Sequence, residues 1–67
     1  MNTKSAVQKV LDDENLSQYR LAQTLGASSA SVGQWLSNTK MSTNYAEKFE
    51  RLYGITIDDA VNTYRKT

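Results

Sequence analysis

The sequence predicts an all-α domain of five short helices, and three observations predict it. Apolar residues recur at helical spacing along the chain, and no segment shows the strict alternation of a half-buried strand. No proline interrupts any stretch. Cap residues and glycines punctuate the pattern. Asn2 or Thr3, Ser17, Ser28, Ser42 or Thr43, and Thr56 stand where helices would begin, and Gly26 and Gly54 where helices would stop. The 67 residues make one domain, 1–67, with one core. At roughly 0.05–0.15 kcal/mol per residue its stability is about 3–10 kcal/mol, so a single bad core substitution can unfold it.

The first helix is expected over Asn2–Leu11, with Ala6, Val7, Val10 and Leu11 on one face and Lys4 and Lys9 on the wetter side. Both lysines suit plain solvated surface; Lys4 reaches a phosphate if that helix end lies near nucleic acid. Asp12, Asp13, Glu14 and Asn15 read as a polar break. The three acids lack the spacing and glycine of a calcium loop, and no other acid is near in sequence, so a solvated turn is expected. Leu16 precedes the cap Ser17 and is placed to staple onto Leu21. The second helix, Gln18–Leu25, turns Leu21, Ala22 and Leu25 inward. Ala22 is small where two helices cross, and a bulky residue there would cost about 1–3 kcal/mol by overpacking. Gly26 suits the left-handed residue that ends such a helix.

Ala27 and Ser28 complete a sharp corner, and a third helix follows over Ser29–Ser37 with Val32, Trp35 and Leu36 inward. Trp35 reads as core rather than as a stacking platform. Asn38, Thr39 and Lys40 form an exit loop, and Met41 is either core or a partner contact. The fourth helix starts at Ser42 or Thr43 and carries a stripe of Tyr45, Phe49 and Leu52, with Ala46 and Tyr53 alongside. Its outer face has Glu47, Lys48, Glu50 and Arg51; Glu47 to Arg51 is an i,i+4 pair worth about 0.3–0.5 kcal/mol. Ile55 packs the connection after Gly54. Thr56–Asp59 resembles a capping box, so a last helix is expected over about Ile57–Tyr64, with Ile57, Ala60, Val61 and Tyr64 on one side.

Composition removes whole classes of chemistry. There is no cysteine and no histidine, which excludes disulfides, thiolate nucleophiles, imidazole bases and nearly all structural zinc sites. No nucleophile–base pair, metal set or phosphate loop is present, so no enzyme activity, metal or cofactor is expected. No apolar run approaches the roughly 20 residues of a membrane span, and the start of the chain lacks the apolar core of a signal peptide. The simplest expected location is the cytoplasm, with no membrane partner. Net charge is only +1, but it is unevenly spread. All the acids lie at Asp12, Asp13, Glu14, Glu47, Glu50, Asp58 and Asp59, leaving Asn15 to Ala46 free of carboxylates while Arg20 and Lys40 sit inside that window. A surface that faces phosphates excludes acids in this way.

The third helix carries the sharpest functional signal. Its outer face holds Ser29, Ala30, Gly33, Gln34 and Ser37, where an exposed helix would ordinarily present Lys, Glu or Arg. Gly33 in a helix interior costs about 1 kcal/mol relative to Ala. A small uncharged face lets a helix sit deep in a DNA groove. Gln34 is suited to a bidentate pair with adenine, Ser29 to several base edges, and Ala30 to a thymine methyl. The simpler role for Gly33 is close helix packing. Gln18, Tyr19, Arg20 and Gln23 lie at the start of the second helix or point away from the core, where free N–H groups and the helix dipole suit a phosphate. Asn38 and Lys40 of the exit loop suit the DNA backbone.

These residues carry a resemblance. Gln18 to Ser37 resembles the helix-turn-helix of the lambdoid phage repressor and Cro family, the XRE-like group. The matching positions are Gln18, Leu21, Ala22, Leu25, Gly26, Ser28, Val32, Trp35 and Leu36. The likeness extends through Tyr45–Tyr53 and Gly54-Ile55-Thr56, most of the chain. It implies a five-helix lambda-repressor-like domain, with the helix-turn-helix at helices 2 and 3, that binds a palindromic operator through the major groove as a homodimer. Carried over, Gln18, Ser28, Ser29, Ala30, Gly33 and Gln34 would read bases. Tyr19, Arg20, Gln23, Ser37, Asn38, Lys40, Thr43 and Asn44 would lie along the DNA backbone. Many relatives are more basic here, so modest affinity and a shallow salt dependence are expected. Some Cro proteins replace the last helices with a β-hairpin; the capping signal and spacing of Ile55–Tyr64 favour helix. The expected function is a sequence-specific double-stranded-DNA-binding transcriptional regulator, Cro-like, in the cytoplasm of a bacterial host and complete at Thr67. The alternatives are the N-terminal domain of a longer repressor, or an antitoxin or adaptor that binds protein. A single reading helix covers few base pairs, so a weak homodimer formed on DNA is expected, with half-sites about 34 Å apart. It would pair through Val61 and Tyr64 or the loop near Met41.

Overall fold

A computed structural model describes residues 1–62. Over that span the chain is all-α, with four helices: α1 (Thr3–Asp13), α2 (Gln18–Leu25), α3 (Ser29–Leu36) and α4 (Thr43–Tyr53). Local chemistry sets most of the boundaries. The side chain of Asn2 accepts the Ser5 N–H at 2.8 Å, Ser17 accepts that of Arg20 at 3.2 Å, and Ser28 accepts that of Ser31 at 3.2 Å. Each satisfies one of the donors a helix start leaves open. Ser42 is the N-cap of α4 but makes no side-chain cap bond. Gly26 (φ 73°) and Gly54 (φ 70°) end α2 and α4 in the left-handed region. Of the expected break, Asp12 and Asp13 instead extend α1, while Glu14 and Asn15 form the turn: Lys9 pairs with Asp13 at 2.9 Å and Gln8 donates to Asp12 at 3.2 Å, both on i,i+4 spacing. The Asp13 hydrogen bond, and then its charge, raise the pKa of Lys9.

The core is one cluster. Ala6, Val7 and Val10 of α1 meet Leu21, Ala22 and Leu25 of α2, Val32 and Trp35 of α3, and Ala46 and Phe49 of α4; Met41 and Ile57 close it. Trp35 meets Tyr45 edge to face, ring centroids 5.6 Å apart. Met41 is fully buried, so the loop near it offers a partner no methionine side chain. Leu52 departs from the expected inward stripe and is 49% exposed. At 3.6 residues per turn Leu52 and Ala46 lie about 60° to either side of Phe49, and the buried side is the one with Ala46. Glu47 and Arg51 form no ion pair among the described residues. Lys48, expected outside, donates to the Leu25 carbonyl at 3.2 Å and so closes the C-terminus of α2.

The expected fifth helix is corrected. Ile57–Asn62 is not helical, and Tyr64 lies outside the described residues. The groups a helix there would use are engaged elsewhere. The Val61 N–H donates to the Met41 carbonyl at 2.9 Å and its carbonyl accepts the Thr43 N–H at 3.0 Å, a parallel bridge between Ser42 and Val61. The Asp58 N–H donates to the Met1 carbonyl at 2.9 Å, and the Met1 ammonium donates to the Thr56 carbonyl at 3.0 Å and pairs with Asp58 at 3.1 Å. Asp59, read as the third residue of its own helix, caps α1 instead. Its Oδ1 accepts the Thr3 N–H at 2.8 Å and the Thr3 hydroxyl at 2.7 Å. The buried Thr3 hydroxyl in turn accepts the Met41 N–H at 3.0 Å. One threonine thus joins the start of α1, the loop before α4 and the last described segment, which is why it, not a hydrophobe, fills that buried position.

Candidate nucleic-acid interface

The corner between α2 and α3 is built by a paired hydrogen-bond stop. The Gly26 N–H reaches the Gln23 carbonyl at 3.2 Å and the Ala27 N–H the Ala22 carbonyl at 2.8 Å, a Schellman arrangement. Ala27 packs on the core, and Ser28 starts α3 at once. The inward residues of both helices are thereby fixed, and so are the outward ones. Gln18, Tyr19, Arg20, Gln23, Ser28, Ser29, Ala30, Gln34, Ser37, Asn38, Lys40 and Asn44 are all exposed, while Gly33 and Thr43 are half-buried.

Gln18 and Gly33 come together: Gln18 Oε1 lies 3.7 Å from where a Cβ on Gly33 would stand. The first residue of α2 therefore lies against the middle of α3. Ser28 is first a cap, and its Oγ also lies 3.1 Å from that of Ser31. Tyr19 is 61% exposed and its hydroxyl accepts from Gln23 Nε2 at 3.0 Å, so these two share one orientation. After α3 the chain is pinned. The Thr39 N–H donates to the Gln34 carbonyl at 2.9 Å and Asn38 takes φ 77°, a left-handed conformation that Asn tolerates. Arg20 and Lys40 form no ion pair among the described residues, so both cations are open to an anion. Thr43 lies apart: it lines a small groove with Glu47 and Glu50, which repel phosphate, and its N–H is used by Val61.

From sequence, Lys4 reaches a phosphate only if the start of α1 lies near nucleic acid, and its neighbours Asn2 and Thr3 read only as caps. Asn2, Thr3 and Lys4 line a polar cleft of about 320 Å³ together with Asn38, Thr39, Lys40 and Asp59. Only the fold brings these two stretches together.

Gly33 permits a test that separates stability from binding. A methyl at 3.7 Å from Gln18 Oε1 is in ordinary van der Waals contact. Gly33→Ala is therefore expected to raise stability by up to about 1 kcal/mol through helix propensity. If α3 seats closely in a groove, the same methyl weakens DNA binding. Urea unfolding and duplex titration of the one variant should move in opposite senses.

No family model, curated protein or solved structure matches this chain. No helix of the described residues is long and apolar enough to cross a membrane.

Proposed function

We propose that this chain is a sequence-specific double-stranded-DNA-binding regulator of the helix-turn-helix type, Cro-like in plan, with α3 in the major groove. The observation that carries the reading is the outer face of α3: uncharged, exposed at Ser29, Ala30 and Gln34, and with Gln18 set against the half-buried Gly33. A solvated helix gains from charged residues on such a face; a helix pressed against base edges gains from their absence. Gln34, Ser29, Ala30 and Gln18 supply the readout, with Ser28 setting the start of α3. Arg20, Asn38 and Lys40 supply backbone contacts. The regulator pairs on its operator, with the partly exposed Val61 (38%) as the candidate meeting point between copies.

Selection of bound sequences from a random duplex pool tests the reading. The expected product is a palindromic motif whose half-sites are separated by about one helical turn. Lys40→Ala is expected to weaken all sequences alike and to lower the slope of log affinity against log salt by about 1. A pool that returns no motif, with wild-type affinity indifferent to salt, would refute the reading.

A further inference from the structure

We infer that the start of α1 is a second phosphate-binding edge of the DNA footprint, with Lys4 as its charged group. The inference rests on the DNA-binding reading above and extends it to residues outside the α2–α3 unit. Lys4 and Lys40 line one polar cleft, and Asn2, Asn38 and Thr39 line it with them as uncharged hydrogen-bonding groups. Both lysines are exposed, and neither has an ion pair or hydrogen bond among the described residues. Lys9 is paired with Asp13, the chain's ammonium with Asp58, and Lys48 with the Leu25 carbonyl, while Arg20 and Arg51, also without an ion pair among the described residues, do not line this cleft. Two unpaired like charges along one cleft repel, and a polyanion lying across it relieves that repulsion. The one acid in the cleft, Asp59, turns its Oδ1 to the amide and the hydroxyl of Thr3, and its single negative charge leaves the two lysines in excess by one. The cleft is continuous with the exit loop of α3, so a DNA strand that reaches Lys40 from α3 meets Lys4 next. The ligand is a backbone phosphodiester, read without regard to base identity.

The test is the salt dependence of binding to one selected duplex, compared for wild type, Lys4→Ala, Lys40→Ala and Lys9→Ala. Each neutralised phosphate contributes about 0.9 to the slope. Lys4→Ala is expected to flatten it by about that amount, so that between 50 and 200 mM salt the wild type loses about 3.5-fold more affinity than the variant does. Lys9→Ala, on a lysine already paired with Asp13, should leave the slope at the wild-type value. Thermal unfolding of Lys4→Ala should match wild type, since Lys4 is exposed. If Lys40→Ala flattens the slope while Lys4→Ala matches wild type, the second edge is wrong and the DNA reading stands. If the wild type itself binds no duplex in a salt-dependent way, both fall together.

Discussion

Phe49→Ala is expected to destabilise the chain by about 3–5 kcal/mol, among the largest losses of any single truncation in this core. Phe49 is fully buried and heads the set of large side chains with no exposure; it lies on the inward axis of α4, against Tyr53 at a ring-centroid distance of 5.2 Å. Truncating a buried Phe costs about 3–5 kcal/mol, the lost transfer free energy plus the cavity left behind. A domain of this size has about 3–10 kcal/mol in all, so the loss removes from a third to the whole of it. Relief by local collapse is limited, because the single core has no second layer to move in. Far-ultraviolet circular dichroism with urea titration reads the result. Leu52→Ala, three residues on and 49% exposed, is the matched control and should change stability by no more than about 0.5 kcal/mol. A Phe49→Ala variant as stable as that control would mean α4 does not close the core.

The contrast between Phe49 and Leu52 shows where sequence reasoning reaches. Spacing alone put both on one stripe. Their wheel positions differ by only about 60°, and which flank is covered depends on where Ile57 and Ala60 return, a tertiary fact. The helix boundaries were legible because Asn2, Ser17 and Ser28 cap through bonds three residues long, and Gly26 and Gly54 stop helices by a left-handed backbone with bonds a few residues back. Thr56–Asp59 failed by the same logic. It carries a cap signature, yet Asp59 spends its carboxylate on Thr3, and Val61 spends its amide and carbonyl on Met41 and Thr43. Long-range partners outcompeted a short helix whose isolated formation is marginal in any case. Thr3 and Lys48 were read as cap and surface because their real partners, Asp59, Met41 and Leu25, are far along the chain. Of the candidate site, exposure of the outer face of α3 followed from periodicity. The approach of Gln18 to Gly33 and the sharing of one cleft by Lys4 and Lys40 did not, since both require the fold.

Gln34→Ala is the sharpest probe of that face. The Gln34 side chain is exposed and makes no hydrogen bond among the described residues; what it gives the fold is its carbonyl, which accepts from Ser37 and Thr39 and survives truncation. Ala is also a good helix former, so the variant should unfold at nearly the wild-type urea concentration. Any lost affinity is then a loss of contact rather than of structure. A bidentate side-chain-to-base pair contributes about 1–3 kcal/mol of discrimination, so the variant should bind its best duplex roughly 5- to 150-fold more weakly. The pattern matters more than the size. Repeating the random-pool selection with Gln34→Ala should relax preference at one position of each half-site, and at both half-sites symmetrically if two copies bind. Its salt slope should equal that of wild type, because no cation was removed. Lys40→Ala should do the reverse: an unchanged motif, a flatter slope. If Gln34→Ala selects the wild-type motif with undiminished affinity while Lys40→Ala still flattens the slope, then the chain binds DNA by charge and α3 is not the element that reads it.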